Sequence, residues 1–333
     1  MANSQISEKP TRNLALELAR VTEAAALAAG RQMGRGDKEA ADRAAVDAMR
    51  LVLNSIEING VIVIGEGEKD NAPMLFNGEH VGAGGKSPEV DIAVDPVDGT
   101  RPLANGYMNA ISTVAIAPRG TMYDPGPFVY MNKIAVGPEA RGLIDIEAPM
   151  AKNLEAIAKA RDKHVADLTA IILDRPRNKE TISQVRKCGA RIRLIPDGDV
   201  AAALMTAWPD SGIDVLLGIG GTPEGVVAAC GLRGMGGEIQ GKFWPRNEGE
   251  LQRARDMGYH PDEVLTLEKL IASEDVFFAA TGVTDGELLR GVKYTGIGAR
   301  THSLVVRGLT GTVREIISTH RWDKLNRLSA IKY

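Results

Sequence analysis

The chain has 333 residues, which is long enough for one large α/β domain or two packed layer systems without a disulfide or metal staple. Its net charge of -3 gives no basic footprint, so nucleic acid is set aside as a main partner. Two cysteines, Cys188 and Cys230, are too few for a disulfide framework or a thiolate zinc site. No apolar run approaches the ~18 residues of a membrane span, and the polar first residues lack a signal-peptide core. We therefore expect a soluble, cytoplasmic protein with no membrane partner.

Helical spacing of apolar residues dominates the start of the chain. It predicts one helix over about residues 11–33 and a second over about 37–54, with Asp37 as the N-terminal cap of the second. Asp42 lies on the apolar stripe of this second helix, where a carboxylate is unexpected. It is either a helix-start carboxylate bonded to a nearby amide or a functional group, and the helix pattern leaves both open.

Short aliphatic runs follow, and acidic residues stand at the ends of two of them. A glycine-bounded strand over residues 60–65 leads to Glu66, and a strand over residues 90–94 leads to Asp95-Pro-Val-Asp-Gly-Thr100. Further strands are predicted at about 111–117 and 129–136. Because helices and strands are segregated here, we expect residues 11–149 to form an α+β half with a partly antiparallel sheet.

From residue 150 to residue 333 helices and strands alternate, which predicts an α/β half with a parallel or mixed sheet. The expected helices cover about residues 151–161, 178–188, 198–207, 223–230 and a charged surface segment within 245–261. The expected strands cover about residues 168–173, 191–195, 214–218, 276–280, 302–306 and 312–318. Ligands collect beyond the carboxyl ends of such strands. Polar clusters stand there at residues 174–177, 197–199 and 220–225.

Five acidic residues stand at element ends or on an inward face, namely Asp42, Glu66, Asp95, Asp98 and Glu224. A carboxylate set without histidine or cysteine suits Mg²⁺ or Mn²⁺ and disfavours zinc. Two such ions about 4 Å apart can clamp a phosphoryl group and activate water. Gly99 lets the backbone approach an anion, and the Thr100 hydroxyl can orient the water. The pattern therefore predicts a metal-dependent phosphatase.

Each of these residue patterns also has a plain structural interpretation. The hexapeptide at residues 95–100 can be a turn capped by its first aspartate, and Glu224 can be a helix-start glutamate after a proline. Arg175 and Arg177 can lie in a solvated loop instead of binding phosphate. Tyr130 can be a core aromatic residue instead of a ligand contact.

Four motifs together resemble class II fructose-1,6-bisphosphatase, a branch of the lithium-sensitive inositol monophosphatase superfamily. The motifs are Gly65-Glu-Gly-Glu68, Asp95-Pro-Val-Asp-Gly-Thr100, Asp197-Gly-Asp199 and Gly218-Ile-Gly-Gly-Thr-Pro-Glu-Gly225. The likeness runs in the same order from about residue 13 to residue 320. It implies a layered αβαβα sugar-phosphatase sandwich that hydrolyses the 1-phosphate of fructose 1,6-bisphosphate with Mg²⁺ or Mn²⁺.

The resemblance also implies roles for individual residues. The metal ligands would be the five acids, Asp42, Glu66, Asp95, Asp98 and Glu224. Thr100 and Asp42 would assist the nucleophilic water. The substrate site would be lined by Asp98, Gly99, Thr100, Tyr130, Arg175, Pro176, Arg177, Asp197, Gly198, Asp199 and Gly221.

Other functions stay open at this point. The substrate could be an inositol monophosphate or could include sedoheptulose 1,7-bisphosphate, although Arg175 and Arg177 favour a bisphosphate because a second dianion needs its own cation. A non-catalytic sugar-phosphate sensor is a further alternative. Dinucleotide binding and a P-loop are rejected, because Pro223 and His80 stand where those motifs require glycine. A homo-oligomer is expected for a soluble enzyme of this size.

Overall fold

The computed structural model describes residues 13–66, 75–85, 87–328 and 331. Its α-helices are α1 (Ala15–Ala29), α2 (Lys38–Leu53), α3 (Thr100–Asn105), α4 (Met150–Ala160), α5 (Lys179–Lys187), α6 (Asp199–Met205), α7 (Thr222–Met235), α8 (Glu248–Asp256), α9 (Leu267–Leu270) and α10 (Trp322–Leu328). Its strands are β1 (Asn59–Ile64), β2 (His80–Val81), β3 (Glu89–Asp98), β4 (Ile111–Pro118), β5 (Tyr130–Val136), β6 (Thr169–Leu173), β7 (Arg191–Ile195), β8 (Val215–Gly221), β9 (Glu238–Phe243), β10 (Val264–Leu265), β11 (Phe277–Gly282), β12 (Lys293–Thr295), β13 (Gly298–Arg307) and β14 (Thr312–Arg321). Gly67 and Glu68 of the first motif and the first two residues of the predicted opening helix lie outside the described residues.

The described strands form two mixed sheets. The first has the order β12-β13-β11-β4-β3-β1-β2, with β14 paired to β13, and the second has the order β10-β9-β5-β8-β6-β7. Within the first sheet β1 and β3 are parallel, and within the second β6, β7 and β8 are parallel. This mixture confirms the predicted α/β class.

Three layers of helices enclose the two sheets. Helices α1 and α2 bury side chains such as Leu18 and Met49 against one face of the first sheet. Helices α6 and α7 fill the space between the sheets, where Leu204 and Val226 pack in one core cluster with Phe278 of β11. Helices α4 and α5 cover the outer face of the second sheet. The order of layers is therefore αβαβα, as the resemblance implied.

The predicted elements recur with small shifts at their ends, and one difference affects the site. Strand β3 does not stop at residue 94 but continues to Asp98, and α3 begins at Thr100. The pairing of β3 with β4 shifts register between Asp95 and Asp98, which indicates a β-bulge. Both acids therefore remain part of the strand. The hexapeptide is therefore a bulged strand end followed by a helix start.

The predicted boundary between residues 149 and 150 does not separate the two sheets. Each sheet contains paired strands from before and after it. Strand β11 lies beside β4 in the first sheet, and β5 lies between β8 and β9 in the second. The division into two halves predicted from the sequence thus does not coincide with the two sheets, since strands far apart in sequence pair with each other. In the part of the chain that the structure describes, no helix combines the length and apolar character needed to cross a bilayer.

Phe278 provides a test of the middle layer. It is fully buried, and a Cβ added at Gly231 of α7 would lie 3.5 Å from its ring. Phe278→Ala should lower the free energy of unfolding by about 3–5 kcal/mol, because it leaves a cavity between sheet and helices. Urea denaturation measures the change, with Leu309→Ala at a half-exposed position as the control. A loss as small as that of the control would show that the layer is loosely packed.

Candidate active site

The candidate site lies at the edge where the carboxyl ends of strands from both sheets come together. Apart from Asp42 on α2, the predicted residues stand at or just beyond the carboxyl ends of β1, β3, β6, β7 and β8, or at the start of the antiparallel β5. A hydrogen bond from the Ala201 amide of α6 to Oδ2 of Asp98, 3.0 Å long, links the first sheet to the segment that follows β7. Residues far apart in sequence therefore share one site.

Asp42 and Thr100 form a direct pair. The Thr100 hydroxyl lies 3.0 Å from Oδ1 of Asp42 and 3.2 Å from the Val97 carbonyl oxygen, both in hydrogen-bonding geometry. Burial raises the pKa of Asp42 to about 6, although the hydrogen bond from Thr100 opposes the rise. The inward position of Asp42 on its helix is thus explained by contact with the helix start at Thr100.

Asp95 and Asp98 lie close together at the bulged end of β3. Asp98 is buried and Asp95 is half-buried. Burial holds both pKa values well above the ordinary range; the charge of Asp98 adds to the rise at Asp95, and that of Asp199 adds to the rise at Asp98. Gly99 follows with φ 98°, a left-handed conformation that turns the chain sharply into α3. The interpretation as a turn capped by Asp95 does not fit, because Asp95 and Asp98 both belong to β3.

Glu66 follows β1 at the same edge. Part of Glu66 is exposed to solvent, but its carboxyl group is largely desolvated. Desolvation raises the pKa of Glu66 to about 7, and the charges of Asp42 and Glu224 add to the rise. A Cβ at the preceding Gly65 would lie 1.9 Å from the Leu75 carbonyl oxygen, so this position requires glycine. Among the described side chains, none forms a hydrogen bond with the Glu66 carboxylate.

Glu224 lies in the first turn of α7, with its carboxylate turned back over the end of β8. A Cβ at Gly221 would lie only 1.7 Å from Oε2 of Glu224, so the glycine leaves room for the carboxylate in this position. Burial raises the pKa of Glu224 to about 7, Asp199 raises it further, and the Lys133 ammonium opposes the rise. These charges place Glu224 in the same electrostatic environment as Glu66 and Asp95.

The loop at residues 197–199 joins β7 to α6. Gly198 has φ 89°, and a Cβ there would lie 3.8 Å from Oδ2 of Asp98, so the loop passes directly beside the acids of β3. Asp197 is half-buried and forms an ion pair of 3.5 Å with Arg175. Burial raises the pKa of Asp197, and Arg175 opposes this rise. Asp199 is buried at the first position of α6.

Tyr130 and Arg177 form a second pair. Arg177 belongs to the short turn Pro176–Asn178 after β6, and its guanidinium carbon lies 4.4 Å from the centre of the Tyr130 ring. Its Nε donates to the Ile219 carbonyl oxygen at 3.1 Å. No described residue accepts a hydrogen bond from its terminal amino groups. The guanidinium is therefore fixed in one plane, which favours the phosphate-binding interpretation over that of a solvated loop.

The sequence reasoning missed Lys133. This residue lies in β5 and is 3% exposed, and its ammonium donates to Oδ2 of Asp199 at 2.5 Å and to the Gly221 carbonyl oxygen at 2.9 Å. The available signal was a single lysine within the otherwise uncharged strand Tyr130–Val136, whose cation must be paired if the strand is buried.

The donor set fits a hard divalent cation in its chemistry. The acids are oxygen ligands that mutually raise their pKa values, and a cation relieves such repulsion. Among the described residues, however, no group of three or more histidine, cysteine, aspartate or glutamate side chains is already close enough to hold an ion. Binding would therefore require side-chain movement.

An αβαβα sandwich with acids and arginines at the meeting edge of its sheets has the architecture expected of the sugar-phosphatase class. Comparison with known proteins makes the assignment specific. Residues 12–320 match the family model described as bacterial fructose-1,6-bisphosphatase, glpX-encoded. The chain belongs to this family, which is one of metal-dependent phosphatases.

Individual relatives agree with the family match. The chain is 46% identical over 326 residues to fructose-1,6-bisphosphatase 1 class 2 of Escherichia coli strain K12, covering 94% of this chain and 96% of the relative. The same values hold for fructose-1,6-bisphosphatase class 2 of Escherichia coli O6:H1 and of Shigella flexneri. The resemblance inferred from four motifs is confirmed at the level of the family.

Asp95 gives a test of the repulsion among the acids. Its raised pKa means that the charged form destabilises the folded chain, so Asp95→Asn should stabilise the protein in EDTA at pH 8 by roughly 1 kcal/mol or more. The gain should shrink as the pH falls, because Asp95 then takes up a proton in the unsubstituted protein. Thermal denaturation measures it, with exposed Asp47→Asn on α2 as the control. A loss of stability at pH 8 would contradict the repulsion.

Proposed function

We propose that this chain hydrolyses the 1-phosphate of fructose 1,6-bisphosphate to give fructose 6-phosphate and phosphate, with Mg²⁺ or Mn²⁺ bound by its acids. Family membership and the 46% identity to class 2 fructose-1,6-bisphosphatases support the reaction. The observation that carries the assignment of the site is the convergence of four acids, Glu66, Asp95, Asp98 and Glu224, on the neighbourhood of the Asp42–Thr100 pair.

The ligands in this proposal are Asp42, Glu66, Asp95, Asp98 and Glu224. Divalent ions bound there supply charge neutralisation for the phosphoryl oxygens and lower the pKa of a coordinated water. The distribution of the acids over α2, β3, α7 and the end of β1 supports a shared site for two ions, since side chains from two helices and the first sheet contribute.

Asp42 and Thr100 handle the proton of the attacking water. The Thr100 hydroxyl donates to Oδ1 of Asp42, so its oxygen lone pairs point away from Asp42 and can accept a proton from water. As the hydroxyl takes up a proton from the water, it passes its own proton along this hydrogen bond to Oδ1 of Asp42, so that threonine ends neutral and Asp42 protonated. Asp42 suits this role because its Oδ1 already accepts the hydrogen bond of the Thr100 hydroxyl.

The remaining residues bind the substrate. Asp98, Gly99 and Thr100 lie against the phosphate that is removed, and Gly221 lets the backbone approach it. Arg177, fixed on Tyr130, supplies a cation for the second phosphate, together with Arg175 and the Pro176 turn. Asp197, Gly198 and Asp199 face the sugar hydroxyl groups, for which carboxylates are suitable acceptors.

The cellular setting is part of the proposal. Cys188 and Cys230 are not joined in a disulfide, which supports a cytoplasmic location. Homo-oligomerisation is proposed because most soluble enzymes of this size assemble symmetrically. We propose a metal-binding part (residues 11–149) and a substrate-binding part (residues 150–333) only as a division of roles. Glu224 is an exception, because it is a proposed metal ligand that lies in the substrate-binding part.

A substrate panel tests the reaction directly. We expect phosphate release from fructose 1,6-bisphosphate with Mg²⁺ or Mn²⁺ and loss of that release in EDTA, restored by excess cation. Sedoheptulose 1,7-bisphosphate and inositol 1-phosphate serve as competing substrates. Preference for the monophosphate would overturn the assignment of the substrate, and activity that survives EDTA would overturn the metal dependence. Binding without turnover of any of the three would favour a sensor.

Thr100 tests the proton path. Thr100→Val keeps the shape of the side chain but removes the hydroxyl, so kcat should fall about 10²–10³-fold. Cation-induced thermal stabilisation should persist, because the carboxylates remain. Thr100→Ser, which keeps the hydroxyl, is the matched control and should retain at least roughly a tenth of the activity. A valine variant as active as the serine variant would exclude the hydroxyl from the mechanism.

A further inference from the structure

Lys133 lies where the second sheet approaches the acids of the site. Its backbone pairs with Gly218 of β8 on one side and with Gly241 of β9 on the other. Only 3% of the residue is exposed. A buried ammonium is costly unless it is paired, so its partners indicate why it is there.

Those partners are two elements of the substrate site. The ammonium donates to Oδ2 of Asp199 at 2.5 Å and to the carbonyl oxygen of Gly221 at 2.9 Å. The backbone makes room for this contact, since a Cβ at Gly220 would lie 2.7 Å from Cε of Lys133 and 2.0 Å from Oδ2 of Asp199. Lys133 thus joins the start of α6 to the turn that carries Glu224.

The two carboxylate oxygens of Asp199 have different surroundings. Oδ2 is held by the ammonium, whereas no described residue donates a hydrogen bond to Oδ1. Asp199 also lies close enough to Asp98 and Glu224 for its charge to act on both. Without a cation beside it, Asp199 would be a sixth carboxylate of the acidic cluster.

We propose that Lys133 is a positioning residue for the substrate, which holds Asp199 towards a sugar hydroxyl and keeps it out of the metal-binding acids. The inference rests on the proposed function and adds a residue to it. Lys133 does not touch the reacting phosphate; it acts through Asp199 and Gly221.

Removing the charge of Lys133 tests whether the residue positions the substrate or only supports the structure. The two roles predict different effects on the affinity for a divalent cation. Removing the ammonium leaves the site more negative and Asp199 free to turn. A sugar phosphate should then bind more weakly, while a divalent cation should bind equally well or more tightly. Collapse of the site would weaken both.

The experiment compares Lys133→Met and Lys133→Gln with Lys163→Met. Glutamine keeps a hydrogen-bond donor but removes the charge. Lys163 is the matched control because it also pairs with a buried aspartate, Asp214, at 2.7 Å, next to the opposite end of β8. Asp214 keeps Arg161 as a second partner.

Three quantities are measured at pH 8. They are the KM for fructose 1,6-bisphosphate, the dissociation constant of fructose 6-phosphate by calorimetry in Mn²⁺, and the Mn²⁺ affinity by electron paramagnetic resonance. For Lys133→Met we expect KM and the sugar phosphate dissociation constant to rise about tenfold, the effect of one charge-assisted hydrogen bond, with Mn²⁺ affinity unchanged or higher. Lys133→Gln should fall between this variant and the unsubstituted enzyme, and Lys163→Met should leave all three within about twofold.

A rise below fivefold, or Mn²⁺ binding weakened by more than twofold, would overturn the proposal. Failure of both Lys133 variants to fold, judged by circular dichroism, would assign the lysine a structural role and overturn it as well. If the unsubstituted chain does not hydrolyse fructose 1,6-bisphosphate, the proposed reaction fails, but fructose 6-phosphate and Mn²⁺ binding still decide the role of Lys133.

Discussion

Repulsion among buried carboxylates is the constraint on which the site depends. Asp95 and Asp98 share the bulged end of β3, and Glu66 and Glu224 are brought towards them from β1 and α7. Bringing these acids together without a counter-charge costs free energy, as their raised pKa values indicate. The two sheets and the helices between them stabilise the fold by aliphatic burial and so hold the acids in an arrangement that would be unfavourable on its own.

The cations near the site offset this negative charge only in part, as the Lys133 ammonium does when it opposes the raised pKa of Glu224. Lys133 pairs with Asp199 and Arg175 with Asp197, both on the side that we assign to the sugar. Arg177 is stacked on Tyr130 at the start of β5. The candidate site therefore has an acidic side whose chemistry suits divalent cations and a mixed side whose chemistry suits a phosphorylated sugar.

Much of the fold follows from local patterns in the sequence. Apolar periodicity located α1 and α2 and most strands, and carboxylates at element ends predicted the candidate site, because both signals are carried by neighbouring residues. Pairing between distant strands was not predictable in this way: β11 joins β4, and β5 lies in the second sheet, for reasons of long-range packing. Lys133 was missed for the same reason, since its partners Asp199 and Gly221 are brought to it only by that pairing.

Anomalous diffraction from crystals grown with Mn²⁺ would test the central claim most directly. The account predicts one manganese peak among the carboxylates of Asp95, Asp98 and Glu224, with Asp199 still held by Lys133. A second peak is expected near Asp42 and Glu66. Absence of bound manganese at saturating concentration, with the acids apart from one another, would contradict it.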